Sequence, residues 1–597
     1  MTRSSSPSTT STAVAGDMTP LLSDSGSDAT LRDGYGVEVR SGNGAARDGG
    51  GDVESESRGA GDDGITLVGR WRAIFISLSI SILLFLQASN MSGMTLTQGI
   101  IAHDLNSYAS PMWFTTAYLI AASALAPIIG RLATIFPPRT LVPPSATLLT
   151  LGSLFSSQSA TFAQFVVSRV VMGLGAAGVM TLAVVFVLGL ARESRRGFFI
   201  GLVNVCFTIG LSFGAVVFGA VEPVIGWRAL FWIQAPISAA AGLGLYLSLP
   251  PSVGVSERTR SGTFREKILK IDYLGASMLT FSIVLFLYGL AGEIQVTPIL
   301  TSLLALLVFL AVENFYATDP IIPLSVLSSR GALLSCAAQL GFLAARWTLL
   351  YYAPVFMLAA QGYSPAAAGS ILIPTNFGFG SGGLLVGWLH IRRSGSFWLP
   401  SALSLALFAA TMYVLSLVGH PDVSPAVMSF AVFLNGLATG AALNYTLAHI
   451  LHLSHPGTEF VTTSLMGTVR GFGGSFGTAI GGGVFYRVLK RGLEEGYAAL
   501  DGGGGLSRER EELVRRLLGS PAYVFGGGLS GEERDVAIEG YAGASRWTWK
   551  MAAAMGVVVA VVQLGTGWTS PKERKEREAG DAEARARLME NEGVGEA

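Results

Sequence analysis

An arginine lies inside a long apolar run of this sequence, where a charged side chain is costly. It is Arg169, in the stretch SRVVMGLGAAGVM (168–180), and Gly173, Gly175 and Gly178 follow it. A charge in a membrane-spanning helix costs about 2.5–3.5 kcal/mol on insertion scales, so it usually faces a protein interior or a hydrated path. Arg169 and Gly173 share a helical face because they are four residues apart. Two interpretations stay open: Arg169 caps backbone carbonyls and holds helices together, or it forms one wall of a binding cavity.

Two further arginines lie at depth. Arg346 is near the middle of another apolar run, and Arg470 precedes a stripe of small residues that begins with Gly473 and Gly474. Glycines at helical spacing form a groove in which another helix can approach closely. Carboxylates are scarce at the same depth, so a cavity here is cationic to neutral. Such a cavity suits anionic, zwitterionic or neutral amphipathic molecules better than organic cations.

Other kinds of chemistry find little support in the sequence. The glycine run at 502–505 is not followed by Lys-Ser/Thr, so it is no phosphate cradle of the Walker type. His449, His452 and His455 step by three residues and drift around a helix, which does not favour a metal site. We therefore predict no enzyme active site, no metal, no cofactor and no nucleic-acid partner.

The composition identifies the kind of element that must carry these side chains. Hydrophobic residues make up 50% of the 597 residues and charged residues only 13%. Mean hydropathy is +0.51. Apolar runs of about 20 residues, enough for a helix to cross a bilayer, recur from Arg72 to Gly567. The sequence predicts an all-α polytopic membrane protein in contact with a lipid bilayer.

Fourteen apolar segments are predicted to span the membrane. They lie near 72–101, 110–133, 141–159, 163–190, 198–221, 229–249, 273–292, 298–316, 331–358, 365–389, 397–418, 425–450, 460–487 and 547–568. Short loops on one side carry most of the arginines and lysines, which marks that side as cytosolic. We expect both termini to be cytosolic, and the long connection 488–546 to be on the other side. Within that connection, GLSREREELVRRLL reads as a short amphipathic helix.

The N-terminal tail is too polar to bury a core. Residues 1–70 are rich in Ser, Gly, Thr and Asp, so we expect a disordered cytosolic tail. Asp17, Leu21 and Leu22 form the pattern D-x-x-x-L-L, which resembles the acidic dileucine signal that sorting adaptors read. The alternative is a chance occurrence in a low-complexity segment. As a signal, it favours a vacuolar location over the plasma membrane.

An internal repeat is visible at the ends of two spans. Span two runs into GRLATIFPPR, from Gly130 to Arg139, and span ten runs into GWLHIRRSG, from Gly387 to Gly395. Each has a glycine, a leucine two residues later and a short basic turn, as a duplicated six-helix unit would give.

With these motifs in view, residues 70–570 resemble the major facilitator superfamily, in particular the fungal 14-spanner drug:proton antiporters. Four motifs in the family's order carry the resemblance: the loop at 130–139, RVVMGLGAAG at 169–178, GLSFGAVVFG at 210–219, and WRALF at 227–231 followed by Gln234 and Pro236. Several positions depart from the family pattern, including a loop glycine replaced within Pro137-Pro138. Thr134 stands where the family has a loop aspartate, Ala215 where it has a proline, and Asn90 where the first span commonly has a carboxylate.

The resemblance implies two six-helix bundles with two inserted helices between them, rocking about a midplane site. The implied organisation is listed by residue range: tail 1–70, N-terminal bundle 71–250, basic linker 251–271, extra spans 272–330, C-terminal bundle 331–569 with its loop 488–546, and cytosolic tail 570–597. We expect a monomer.

The resemblance also implies which residues face the cavity, since spans one, four, nine and twelve line it in the family. The candidates are Asn90, Arg169, Arg346, Trp347, Asn435, Asn444 and Tyr445, with Asn376 from span ten. For Arg346, facing substrate and capping carbonyls are both open.

Other residues are predicted to serve gating and helix packing. They are Gly130, Arg131 and Arg139 in the loop after span two, Gly173 in span four, Gly210, Gly214 and Gly219 in span five, and Arg470, Gly473 and Gly474 in span thirteen. We expect the span-five seam to seal the two halves, and span thirteen to be its counterpart in the second repeat.

The function that the resemblance implies is secondary active export of small molecules, drugs or toxins at the plasma or vacuolar membrane. Vacuolar uptake of basic amino acids and a non-transporting nutrient receptor are the alternatives. Proton coupling needs a titratable group, and the candidates, Glu222 and Asp104, lie near span ends.

Overall fold

The computed structural model describes ten stretches of the chain. They are residues 69–108, 111–190, 193–251, 272–291, 294–315, 330–391, 397–453, 459–502, 506–526 and 528–567. The expectations for the N-terminal tail with Asp17, Leu21 and Leu22, for most of the basic linker and for the C-terminal tail lie outside these residues. The described residues are almost entirely helical, as the composition predicts, and each of the fourteen predicted segments contains helix.

The N-terminal half contains six helices. They are α1 (Arg70–Ser92), α2 (Met94–Asp104), α3 (Trp113–Ile135), α4 (Val142–Gln158), α5 (Phe162–Leu190) and α6 (Glu193–Ser248). α1 and α2 together form span one. α6 contains both spans five and six. Gly226 interrupts it between them with φ 78° and ψ 158°, a conformation that glycine adopts readily.

Two helices lie between the halves of the sequence. α7 (Tyr273–Leu290) is capped by Asp272, whose carboxylate accepts the Gly275 N–H at 2.8 Å, and α8 (Val296–Phe315) follows it. The pair also contacts both halves through aromatic rings. Tyr288 of α7 lies 5.4 Å from Trp113 of α3, and Phe286 lies 5.6 Å from Phe476 of the C-terminal half, between ring centroids.

The C-terminal half repeats the arrangement and adds a structured loop. Its helices are α9 (Arg330–Ala359), α10 (Pro365–Gly369), α11 (Leu372–Val386), α12 (Trp398–Val418), α13 (Pro425–Leu453), α14 (Glu459–Leu500), α15 (Arg508–Gly519) and α16 (Gly531–Leu564). A short 3-10 turn, Pro521–Phe525, follows α15.

Among the described residues, ten helices are long and apolar enough to cross a membrane. One of them, Gly201–Ser248 within α6, has 48 residues and contains two predicted spans. α4 with 17 residues and α11 with 15 are shorter than a typical span. The number fourteen therefore stays a prediction, while the polytopic helical fold is confirmed.

The last two long helices extend into the predicted connection 488–546. α14 continues to Leu500 and α16 begins at Gly531, so much of this connection is helical. The extensions pack on each other through buried Leu493, Tyr497 and Tyr541, while their outer faces carry charges. A hydropathy search misses such an amphipathic pair. The predicted amphipathic helix is present as α15, and the Ser507 hydroxyl caps it by accepting the Arg510 N–H at 3.3 Å.

Candidate functional site

Arg169 is completely buried in α5, and several groups accept its hydrogen bonds. Its Nε donates to the Phe114 carbonyl at 2.8 Å. Nη1 donates to the Asn90 side-chain oxygen and Nη2 to the Asn90 carbonyl, each at 3.1 Å. The side chain has 0% exposure. Its guanidinium also lies 4.5 Å from the centre of the Tyr118 ring. These contacts match the first interpretation of Arg169, in which it joins helices.

The Arg169 network extends to a residue that the cavity prediction did not include. Asn90 donates its Nδ2 hydrogens to Gln234 Oε1 at 2.5 Å and to the Leu86 carbonyl at 2.8 Å. α1, α3, α5 and α6 are therefore linked through buried polar atoms. Gln234 stands out in the sequence as an amide inside span six. Its contact with Asn90, 144 positions away, depends on how the spans pack.

Arg346 is also buried, but its surroundings differ. It lies near the middle of α9 with 6% exposure. Nη2 donates to Asn376 Oδ1 at 2.9 Å, and the guanidinium lies 4.1 Å from the centre of the Phe379 ring. Arg346 Nη1 and Asn376 Nδ2 are buried, and within the described part of the chain neither atom has a hydrogen-bond partner. This pair thus holds two unused donors at one place.

The other candidate cavity residues take part in different contacts. Asn435 donates to Thr411 Oγ1 of α12 at 3.0 Å, and Asn444 donates to the Gly440 carbonyl of its own helix at 2.9 Å. The Tyr445 hydroxyl lies 2.9 Å from His390 Nδ1. These hydrogen bonds join them to helix neighbours and not to Arg346 or Asn376.

Trp347 faces a different helix from its neighbour Arg346. A Cβ added at Gly474 of α14 would lie 3.3 Å from the Trp347 ring. Trp347 is half-buried in this contact. Among the predicted cavity candidates, the structure brings Arg169 together with Asn90 and Arg346 together with Asn376.

The glycines of span five pack mainly within their own half. A Cβ at Gly210 would lie 2.8 Å from Ala88 Cβ, and one at Gly214 would overlap the Ser89 backbone, both on α1. Gly219, in contrast, faces the other half, and its Cβ would lie 2.6 Å from the Ala366 nitrogen of α10. The expectation that this seam seals the two halves is therefore corrected in part: Gly210 and Gly214 pack on α1, whereas Ala215 and Gly219 meet the other half at α10.

The glycines of span thirteen repeat that geometry in the second half. Gly473 packs on Leu343, where its Cβ would lie 2.6 Å from Leu343 Cβ, and Gly477 packs on the Ala344 carbonyl. Both contacts are with α9, as those of span five are with α1. Arg470 is half-buried at the start of this stripe.

The halves meet through apolar packing, which includes Leu96 and Ala215 of the N-terminal half against Gly369 of α10, and through buried polar pairs. Ser123 Oγ of α3 lies 2.5 Å from Ser475 Oγ of α14. The Tyr351 hydroxyl of α9 donates to Gln98 Oε1 of α2 at 2.6 Å. These buried polar pairs join α3 to α14 and α2 to α9.

The loop after span two is fastened to span six. Arg139 Nε donates to the Tyr246 carbonyl at 3.1 Å, and its guanidinium lies 4.6 Å from the Tyr246 ring centre. Thr134 stands where the family has an aspartate, and its hydroxyl donates a hydrogen bond to the Arg131 carbonyl at 2.8 Å. Gly130 faces α5. Gly173 packs so closely on α3 that a Cβ there would overlap the Tyr118 carbonyl.

The candidate coupling carboxylates lie away from both arginine sites. Asp104 forms an ion pair with Arg228 and accepts the Trp227 Nε1 hydrogen at 3.2 Å. Glu222 has 8% exposure and is close to the interruption at Gly226.

Comparison with known proteins places these features in a family. A sequence model of the Major Facilitator Superfamily matches residues 78–478. "Efflux pump FUS6" of Gibberella fujikuroi is 28% identical over 432 residues, covering 70% of this chain and 75% of that protein. "Multidrug resistance protein fnx1" of Schizosaccharomyces pombe is 24% identical over 499 residues, covering 81% of this chain and 90% of that protein.

The fold is also similar to solved transporter structures. One is a bacterial homologue of the human lysosomal transporter Spinster in an inward-facing, unoccupied conformation, with a TM-score of 0.54 and 16% sequence identity. The match covers 84% of this chain and 99% of that one.

Proposed function

Because the chain belongs to the Major Facilitator Superfamily, and is thus a multi-pass secondary transporter and not an enzyme, we propose that it exports small organic molecules by alternating access. One observation carries the mechanism. The seam of α6 on α1 is repeated by the seam of α14 on α9, and each seam lies inside one half. Tight seams inside each half suit two bodies that rock about a central site.

Efflux as the direction of transport is supported by the relatives. FUS6 is named an efflux pump and fnx1 a multidrug resistance protein.

A structural feature that would allow rocking is Gly219, where the halves meet at Ala366. Gly219→Leu would wedge the halves apart at this contact. Gly201→Ala is a matched control, because nothing lies within 4 Å of a Cβ there.

Transport by purified protein in liposomes tests the proposal. A panel of fluorescent drugs and aromatic acids is followed with and without a proton gradient, for wild type, Gly219→Leu and Gly201→Ala. We expect wild type and Gly201→Ala to move part of the panel and Gly219→Leu to move none. Folded wild-type protein that moves no member of the panel in either direction, with or without the gradient, would contradict it.

We propose further that transport is coupled to protons through Glu222. This carboxyl is buried close to the Gly226 interruption, whereas the Asp104 carboxylate is already engaged by Arg228. Glu222→Gln should leave downhill exchange of substrate intact and remove acceleration by a proton gradient. Unchanged acceleration would assign coupling to another group.

For location, we propose cytosolic termini and sorting to the vacuole by Asp17, Leu21 and Leu22. This rests on the basic loops and the D-x-x-x-L-L pattern of the sequence. Replacing Leu21 and Leu22 by Ala should move a fluorescently tagged protein to the cell surface. The same vacuolar location after replacement would show that these residues are no signal.

A further inference from the structure

The pair Arg346–Asn376 has two buried donors without acceptors among the residues that the structure describes. There, Nη1 of Arg346 and Nδ2 of Asn376 both lack a partner, although the two side chains already hydrogen-bond to each other at 2.9 Å. Buried donors are normally satisfied, and each one left unpaired costs free energy. Two on adjacent side chains form a place that an acceptor from outside the chain can fill.

The charge of Arg346 is also uncompensated. Among the described residues, no ion pair includes Arg346, whereas Arg228 and Arg510 each pair with a carboxylate. An intramembrane charge of this kind marks a functional site more often than a packing site. Arg169 differs from Arg346 because it donates hydrogen bonds to Phe114 and Asn90 within its own half.

The geometry favours a planar anion as the missing group. Phe379 lies against the face of the guanidinium at 4.1 Å and leaves its edge for hydrogen bonds. A carboxylate has two acceptor oxygens in one plane, and arginine binds such groups through its fork of N–H donors. One oxygen can take the Arg346 Nη1 hydrogen while the other takes the Asn376 Nδ2 hydrogen. A carboxylate also supplies the single negative charge that the site lacks.

We propose that Arg346 and Asn376 bind the carboxylate of an exported organic acid. This rests on the proposed function and names its substrate class. The site is enclosed in the present conformation, so the acid enters when the halves rock and α9 becomes exposed to water. We expect the rest of the exported acid to be apolar, because the neighbours of Arg346 along α9 and the Phe379 ring offer apolar contacts.

The test compares acids with their neutral amides. Naphthylacetate and dodecanoate, each with its amide, are presented to wild-type protein in liposomes for transport and in detergent for binding by thermal shift. A charge-assisted hydrogen bond contributes enough to expect about a tenfold preference for the acid. Arg346→Gln should abolish that preference, and Arg346→Lys should restore part of it.

Asn376→Asp keeps the test sharp if Arg346→Gln fails to fold. The new carboxylate would pair with Arg346 and occupy the site, so the protein should melt at a higher temperature while its preference for acids is lost. Asn444→Asp is the matched control, because it adds the same charge on α13, where Asn444 bonds to Gly440 and not to Arg346. It should keep the acid preference.

The outcomes separate this inference from the proposed function. Equal transport of acids and amides by wild type overturns the carboxylate site but leaves export standing. Acid binding that vanishes in Asn376→Asp, without transport of any compound by wild type, supports the site and overturns export. An acid preference that survives both Arg346→Gln and Asn376→Asp overturns the site.

Discussion

Two buried arginines in one chain illustrate how hydrogen-bond partners decide the role of a charge. Arg169 and Arg346 are each at least nine-tenths buried. Arg169 donates to three oxygens of its own half, while Arg346 donates to one and, within the described stretches, keeps a buried donor without a partner. A charge whose donors are all used stabilises the fold, and one with unused donors is available to a ligand.

We predict that Arg169→Ala destabilises the protein by more than about 3 kcal/mol, because three buried oxygens lose charged donors. Those oxygens belong to Phe114 and Asn90. The measurement is thermal unfolding in detergent, together with the yield of monodisperse protein. Arg228→Ala is the control: its side chain is 48% exposed, and the loss should be under about 1 kcal/mol. Equal melting temperatures for wild type and Arg169→Ala would contradict the structural role.

The sequence identified these residues better than it identified their contacts. Arginines and asparagines inside apolar runs are visible without a structure, and both Arg346 and Asn376 were candidates. The carbonyls of Phe114 and Asn90 were not, because every residue has a carbonyl and only packing decides which ones face a buried charge. Asn435 and Asn444 are equally visible in the sequence, but they bond to Thr411 and Gly440. These contacts follow from helix rotation, which periodicity does not fix.

At the scale of elements, small residues determine how closely helices approach. α14 packs on α9 where a Cβ at Gly477 would overlap the Ala344 carbonyl. We predict that Gly477→Val destabilises the protein by about 1–3 kcal/mol, as overpacking typically does. Gly471→Ala on the same helix has nothing within 4 Å of its Cβ and should be neutral or slightly stabilising. Melting temperatures that fall equally in both variants would assign the effect to helix propensity and not to the seam.

Charged residues fasten the loop helix α15 to the start of α16. Glu533 pairs with Arg510, and its carboxylate also accepts the Ser530 N–H at 2.8 Å in a capping box. The hydrogen bond that the Arg510 guanidinium donates to the Glu533 carboxylate raises the pKa of Arg510, so this cation stays charged and the pair depends on the carboxylate.

We therefore predict that Glu533→Gln loosens α15 without unfolding α16. Glutamine can keep the capping role, so the change isolates the ion pair. A partly exposed pair contributes about 0.2–1 kcal/mol, so amide hydrogen exchange in 508–519 should accelerate by up to about fivefold. Glu512→Gln, which breaks an exposed pair with Arg516 inside α15, should change exchange less. Equal acceleration in both variants would show that the pair with Glu533 does not fasten the helix.

The elements themselves were largely predictable, apart from their ends. Apolar length identified fourteen segments, and each contains helix in the structure, because a bilayer requires about 20 apolar residues per span. The extension of α14 to Leu500 escaped prediction, since it is held by Leu493 and Tyr497 packing on α16 while charges cover its other face. Hydropathy averages over both faces and cannot separate them.

At the scale of the whole molecule, the contacts between the halves include a pair of serines at depth. Ser123 Oγ and Ser475 Oγ are 2.5 Å apart, and both residues are buried. Alternating access requires α3 and α14 to separate or slide at this point during each cycle. A covalent link there would hold one arrangement.

We predict that oxidation of a Ser123→Cys/Ser475→Cys variant abolishes transport and that reduction restores it. The native thiols Cys206 and Cys336 are first replaced by Ser, and cross-linking is followed by gel mobility after cleavage of the chain between the halves. Ser156→Cys/Ser168→Cys is the matched control: its hydroxyls are 2.8 Å apart, but both lie in the N-terminal half. Its cross-link should leave transport unchanged, because helices α4 and α5 move as one body. Full transport by the fully cross-linked Ser123→Cys/Ser475→Cys protein would mean that the halves do not move apart at these serines, and rocking about this contact would have to be abandoned.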